Sequence, residues 1–335
     1  MVCDQFFTPI RRILIIMVRM TVLASGSRGN STVVSSTRTR ILVDAGVSCR
    51  ELFKRMQAAG EDPRSLDAIL VTHEHQDHVQ GLAVTARKLG IPAYFTEATH
   101  RAWMRWVTPR KRMTYAEWLA ERKQQAEARA AAAVNPPAVH SQIEDREAFD
   151  EEQETLIPDE CGPKTDPAAL PSVEYFTAGE GFSIGDIAVT PFTIPHDAAD
   201  PVGFVFEAEG IRIGLAIDLG YIPAHAAMRL RRCDVLMLES NHDLDMLRDG
   251  PYPWSVKQRV MSRVGHLSNN AAADFLEKGY DGQAEYVILA HLSESNNLPE
   301  LARVSAEYAL RDRMSLLGNR VLLATQDQPM ASIVL

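Results

Sequence analysis

Cysteine is scarce: Cys3, Cys49, Cys161 and Cys233 are the four in a chain of 335 residues. None stands in a Cys-x-x-Cys pair. They read as free thiols of a reducing compartment, which excludes a disulfide-stapled scaffold. Long apolar runs are missing as well. The run over residues 13–18 follows two arginines and is too short to cross a bilayer. It has no small-residue cleavage site of the kind that ends a signal peptide. Residues 1–19 therefore read as an N-terminal extension, with Met17 or Met20 as alternative starts. The expectation is a cytoplasmic protein without a membrane span.

An excess of basic charge is also absent, the net charge being -9. That total hides an uneven distribution. Residues 110–166 hold eight Lys/Arg against thirteen Asp/Glu. Two divalent ions would bring the remaining body close to neutral. Local basic clusters, Arg229, Arg231 and Arg232, and Lys257, Arg259 and Arg263, remain available to a polyanion, because local field and not net charge decides what enters a cleft.

What is present is an ordinary globular composition, 46% hydrophobic and 24% charged. Short β-branched runs predict strands over 21–24, 32–35, 41–43, 67–71, 91–95, 187–194, 202–207, 211–217, 235–238, 286–290 and 320–325. Helices are expected over 50–59 with Ser48 as N-cap, 82–89 stopped by Gly90, 269–277 and 301–311. The alternation implies an α/β fold. Residues 108–172 break it with an alanine-rich helix candidate over 115–133, Asn135-Pro-Pro137 and an acidic run. So little apolar residue content predicts an insertion, part helix and part linker, within a single domain over 20–335.

The densest chemistry is His73-Glu-His-Gln-Asp-His78, directly after an apolar strand. Imidazole nitrogens and carboxylate oxygens suit zinc, manganese or iron. His73 and His75 can reach one ion from an extended loop, while Asp77 and His78 begin the next turn and point to a second. Six residues cannot close two coordination shells. His196, Asp218 and His291 each follow an apolar strand, where α/β sheets present ligands. Asp218 can offer an oxygen to each ion. Taken singly, each of the three is more plainly a turn cap or a satisfied core group.

This combination resembles the metallo-β-lactamase superfamily. Pro195-His-Asp-Ala-Ala-Asp-Pro-Val-Gly203, Asp218-Leu-Gly-Tyr221, Glu239-Ser-Asn-His-Asp243, Gly250-Pro-Tyr-Pro-Trp254, Gly265-His-Leu-Ser-Asn269 and Ala290-His-Leu-Ser293 are similar to its YycJ/WalJ-like exonuclease subgroup. The resemblance covers 20–107 and 173–330 and implies a four-layered αβ/βα sandwich with two mixed sheets and outer helices. It implies His73, His75 and His196 on one ion, Asp77, His78 and His291 on the other, and Asp218 bridging. It also implies a 5′-to-3′ exonuclease acting on DNA or RNA. The alternative is a small-molecule ester, thioester or lactam hydrolase of the same fold. The large extra domain of β-CASP nucleases has no room between Asp218 and His291.

Two ions sharing a water lower its pKa, align it and stabilise charge on the attacked phosphorus, so Asp77 and Asp218 become catalytic as well as ligating. Asp44 is expected behind the ligands, orienting them, or as a simple turn residue. His242 and His266 sit in polar loops, and His266 is the preferred donor to the leaving oxygen. Ser268 and Asn269 beside it are candidate phosphate contacts at a helix start, or Ser268 is only that helix's cap. Ser25, Ser27, Asn30 and Ser31 read first as turn residues. Oligomeric state leaves no signature here.

Overall fold

The computed structural model describes residues 17–108, 122–123, 166–312 and 320–335. Contacts divide the chain into Met1–Val107 with Pro167–Leu335, and Thr108–Asp166. Most of the second unit, including the helix expected over 115–133 apart from residues 122–123, lies outside the described residues, as do residues 1–16, Cys3 and Cys161.

Fourteen strands in the described residues form two seven-stranded sheets. The first runs β14 (Ile333–Val334), β1 (Arg19–Ala24), β2 (Ser31–Ser35), β3 (Arg40–Val43), β4 (Ala68–Leu70), β5 (Ala93–Phe95), β6 (Val173–Tyr175). The second runs β13 (Arg320–Leu323), β12 (Tyr286–Ala290), β11 (Val235–Glu239), β10 (Ile211–Ala216), β9 (Val202–Ala208), β8 (Ile187–Thr193), β7 (Phe182–Ile184). Each sheet opens with antiparallel pairs and ends in a parallel run, β3 to β6 in one and β10 to β13 in the other. The architecture thus repeats, although no repeated motif stands out in the sequence.

Three apolar clusters define the layers. Val22, Val34, Ile41, Leu70, Phe204, Ile213, Leu215 and Met237 meet between the sheets. On the outer face of the first sheet, Leu42, Ile69 and Phe95 pack with Leu52, Met56, Leu82 and Trp103 from helices Cys49–Ala58, Leu82–Leu89 and Glu97–Val107. On the second, Leu236, Leu238, Val287 and Leu289 pack with Ala272, Leu276, Ala302 and Ala306. Buried on both faces, the inner parallel strands β4, β11 and β12 read as apolar runs rather than alternating ones. This is the αβ/βα sandwich.

Two boundaries differ from the sequence reading. Val18 is 2% exposed in the central core, and Arg19 pairs with Val334, so the fold starts before Met20. The C-terminal strand, which pairs with β1, recruits these residues. At the other boundary, Ala168 is buried, the Ser172 carbonyl accepts the Ala93 N–H, and β6 follows at once. Residues 167–172 therefore belong to the sandwich. Helix 269–277 also divides, with α-geometry over Asn269–Asp274 and a wider π turn over Phe275–Gly279. Helices Glu97–Val107, Ala224–Arg229, Leu244–Asp249 and Trp254–Val260 were not anticipated. No helix among the described residues is long and apolar enough to cross a membrane.

Candidate metal centre

The C-terminal ends of β3, β4, β10, β11 and β12 open onto one cleft. Asp44 follows β3, His73 follows β4, Asp218 follows β10, Glu239 ends β11 and His291 follows β12. Asp44, Asp218 and His291 hold left-handed backbones, with φ of 59°, 58° and 55°. Side chains other than glycine rarely adopt that region and then often at functional sites. Here it turns the chain sharply at the strand end and directs the side chain inward.

His73, His75, Asp77, His78, His196, Asp218 and His291 converge. Donor atoms of His73, His75 and His196 lie within 4.8 Å of one another, as do those of Asp77, His78 and His291, and those of His73, His78 and Asp218. His78 and Asp218 thus connect the two clusters. His78 Nε2 lies 2.8 Å from Asp218 Oδ2, and His291 Nδ1 lies 3.0 Å from Asp218 Oδ1.

The ring nitrogens are sorted. His78 Nδ1 donates to Asp44 Oδ2 at 2.8 Å. His196 Nδ1 faces the carbonyls of Val264 and Gly265, each at 3.2 Å. His291 Nδ1 faces Glu239 Oε1 at 2.9 Å, and His73 Nδ1 the Thr72 hydroxyl at 3.1 Å. Engaging Nδ1 in this way fixes the tautomer with a lone pair on Nε2. The Nε2 atoms of His73 and His291 are buried with no hydrogen-bond partner, and His196 Nε2 lies 3.2 Å from His75 Nδ1. Orphaned buried nitrogens of this kind are costly unless something binds them. The donor set therefore fits divalent metal ions.

Charge divides the cluster. Burial and the neighbouring His78 hold His73 well below its ordinary value, so it stays neutral. The carboxylates around His78 and His291 outweigh their burial and hold both well above theirs, so an ion bound at either ring would displace a proton. Burial would raise Asp77 and Asp218, but the surrounding histidines overcome it and keep both carboxylates well below the usual range.

A supporting shell orients these groups. Asp44, 1% exposed, accepts from the Thr72 N–H at 2.9 Å and the Thr72 hydroxyl at 2.8 Å besides His78. Asn30, read from sequence as a turn residue, donates to Asp77 Oδ2 at 3.1 Å. Its backbone N–H donates to the Asp77 carbonyl, and that packing explains Gly46: a Cβ there would lie 1.6 Å from the same carbonyl oxygen. Ser25 Oγ accepts the His291 N–H at 2.8 Å, and Ser31 Oγ donates to the Asp44 carbonyl.

Glu239 is the functional residue that the sequence reading passed over. It is fully buried. Oε2 accepts the N–H groups of Leu219 and Leu267 at 2.8 and 3.1 Å; Oε1 accepts His266 Nδ1 at 2.8 Å and His291 Nδ1. One carboxylate thus holds an expected ligand and the expected proton donor. Its available signal was the charge itself, closing the apolar run Val235–Glu239.

The remaining candidates fall in different places. His266 lies beside the cluster, its ring 5.3 Å from His196 and 5.1 Å from His291, with Nδ1 3.3 Å from Asp218 Oδ1. Burial pulls its pKa down, but Glu239 and Asp218 outweigh that and raise it to about 9. His242 is 1% exposed; burial lowers it to about 4, and it joins none of the donor groups. Ser268 Oγ accepts the Ala271 N–H as an N-cap, and the Asn269 amide bonds Ser240 and Asn297. Of the basic clusters, Lys257 donates to the carbonyls of Arg248 and Gly250, Arg259 pairs with Asp197, and Arg263 stacks on Tyr221. Arg229, Arg231 and Arg232 lie before β11, at the end of the strand remote from Glu239.

Residues 24–252 match the description of the Metallo-beta-lactamase superfamily. The chain belongs to the metallo-β-lactamase superfamily. It is 31% identical to the Exodeoxyribonuclease YycJ of Bacillus anthracis over 298 residues, covering 88% of this chain and 90% of that protein. The Exodeoxyribonuclease WalJ of Streptococcus pneumoniae serotype 2 is 30% identical over 287 residues, 86% of each chain. Among solved structures, the metallo-β-lactamase fold protein YhfI from Bacillus subtilis superposes with a TM-score of 0.58 at 14% identity, covering 94% of this chain and 99% of that one. That likeness carries the fold alone. Family membership and the donor cluster make the chain a metal-dependent hydrolase.

Proposed function

We propose that the chain is a dinuclear phosphodiesterase, a 5′-to-3′ exonuclease acting on DNA, with zinc or manganese as the ions. The observation that carries this reading is the Asp218 carboxylate set between two histidine clusters, with His266 fixed beside it by Glu239. The names of the YycJ and WalJ relatives support the nucleic acid substrate. In this reading His73, His75 and His196 would hold one ion and Asp77, His78 and His291 the other, with Asp218 shared between them.

When bound, such ions lower the pKa of a water and neutralise charge on the attacked phosphoryl group. The protein's own groups do the rest. Asp44 and Glu239 orient the imidazoles of His78 and His291 through Nδ1, so that Nε2 would be the nitrogen offered to an ion. His266, protonated at neutral pH with Nδ1 held by Glu239, gives the proton on its other nitrogen to the leaving oxygen.

The test is degradation of 5′-end-labelled DNA and RNA with manganese and zinc supplied separately. Mononucleotide release from the 5′ end of DNA is expected. Hydrolysis of lactams or thioesters, with both nucleic acids left intact under either metal, would overturn the proposal in favour of a small-molecule hydrolase. The same reading makes residues 124–166 dispensable for the centre. Their deletion is expected to leave bound metal per chain unchanged by elemental analysis, and loss of metal would make the segment part of the site.

A further inference from the structure

Next to the metal centre lies a second cavity, of about 400 Å³, that no step above uses. It is built on the ends of β1, β12 and β13. Ser25 follows β1 and accepts the N–H of His291; Leu292 follows that ligand; Ala324 follows β13. The loops are joined by the Ser25 N–H to the Thr325 carbonyl at 3.1 Å and the Arg28 N–H to Gln326 Oε1 at 2.8 Å. Two lining residues are thus tied to His291, Leu292 as its chain neighbour and Ser25 by a hydrogen bond.

Its walls are apolar: Leu292, Leu298, Pro299 and Leu323 line it. Leu298 among them is 50% exposed. The polar edge is distinctive. Arg28 Nε donates to Glu294 Oε1 at 2.9 Å, and its Nη2 to Asp327 Oδ1 at 2.9 Å. Two carboxylates against one guanidinium leave this edge net negative. A second phosphate is disfavoured there, whereas the ring and amino N–H groups of a base find acceptors. A volume of this size suits one nucleoside, not a stacked run of bases.

We propose that this cavity receives the base and sugar of the substrate's terminal nucleotide while the adjoining phosphodiester lies at the metal centre. The inference rests on the exonuclease reading and deepens it. A one-nucleoside cavity beside the reacting phosphate would set both the end preference and the length of the released product.

Direct binding tests it without relying on turnover. The manganese-loaded full chain is titrated calorimetrically with deoxyadenosine 5′-monophosphate and with 2-deoxyribose 5-phosphate, which share the phosphate and differ by the base. The nucleotide is expected to bind at least about tenfold tighter, a difference of about 1.4 kcal/mol. Leu298→Lys, at a half-exposed position that should not disturb folding, supplies a cation that competes for the carboxylates of Glu294 and Asp327 and is expected to erase that preference, with metal content measured in parallel. Equal affinity of the two phosphates in the wild type, or a preference that survives in Leu298→Lys with metal retained, overturns the cavity assignment. Failure of the wild type to degrade DNA overturns the exonuclease reading instead, and the titration still decides whether the cavity takes a base.

Discussion

Val43-Asp44-Ala45-Gly46 and Ile217-Asp218-Leu219-Gly220 are the same turn made twice, once after β3 and once after β10. Each aspartate has the same left-handed backbone and is 1% exposed. Their surroundings differ. Asp44 is closed off by Thr72 and His78 and reaches no other donor of the cluster. Asp218 stands in the open middle, facing His78 on one side and His291 and His266 on the other. One fold element thus supplies a support in the first half and, in the second, a carboxylate shared by both histidine clusters. The left-handed turn only aims a carboxylate at the cleft. What comes after β4 and β11 decides its use: a threonine and a run of histidines in one case, Glu239 in the other.

If that comparison is right, the two aspartates are unequal. Asp218→Ala removes the oxygens between both clusters, and activity should fall by several orders of magnitude with loss of metal, read as kcat and as metal per chain. A variant within tenfold of wild type would mean that the two halves act independently.

Glu239 extends the contrast, because its carboxylate serves four donors at once. In Glu239→Gln, the single amide oxygen can face either the two backbone N–H groups or the two imidazoles. Whichever way it turns, an NH₂ meets donors. Metal affinity should drop roughly 10–100-fold, as for other groups that orient ligands. The loss of His266's anchor should slow cleavage as well. His266→Ala should separate the two effects: metal content retained, cleavage slowed roughly 10²–10⁴-fold. A substrate with a better leaving group should recover part of that loss. Metal loss in His266→Ala would make it a ligand, consistent with its place among the donors Asp218, Glu239 and His291.

The same asymmetry governs what could be read in advance. His73 to His78 is contiguous, so its chemistry appears in six letters, and the strands that deliver it are apolar runs too plain to miss. In the second half, His196, Asp218 and His291 are scattered, and only their common position after strands connected them. Glu239 escaped because a glutamate before Ser-Asn-His reads as the start of a polar loop. Its importance comes from the N–H groups of Leu219 and Leu267, which are distant in sequence and brought to it only when β10 pairs with β11. Thr72 and Asn30 were hidden for a related reason, since their partners lie across loops. The strands β6, β7 and β14 were missed because three- or two-residue edge pairings carry almost no periodic pattern.

Asp44→Asn should have a milder effect than Glu239→Gln. Thr72 can turn its hydroxyl to accept from the new amide, so only His78 is mismatched. An NH₂ opposite Nδ1 favours the tautomer with the proton on Nε2, the atom facing Asp218. Metal affinity should fall about tenfold, within the range for such partners, with kcat at saturating metal close to wild type. A kcat that stayed depressed at saturation would place Asp44 nearer the chemistry than its contacts suggest.

The smallest effect is expected at Ser268, one position along from Leu267, whose N–H anchors Glu239. Its hydroxyl accepts the Ala271 N–H and caps the helix Asn269–Asp274, and its backbone bridges to His242. Ser268→Ala removes one cap, worth about 1 kcal/mol of stability, to be measured by denaturant unfolding of the metal-loaded chain. If the hydroxyl serves only the helix, KM for an oligonucleotide should not move. If it also contacts a phosphate, KM should rise while the stability loss stays the same. The two measurements together therefore distinguish a cap from a substrate contact at the end of the segment Gly265 to Asn269, where the expected proton donor and a helix start lie three residues apart.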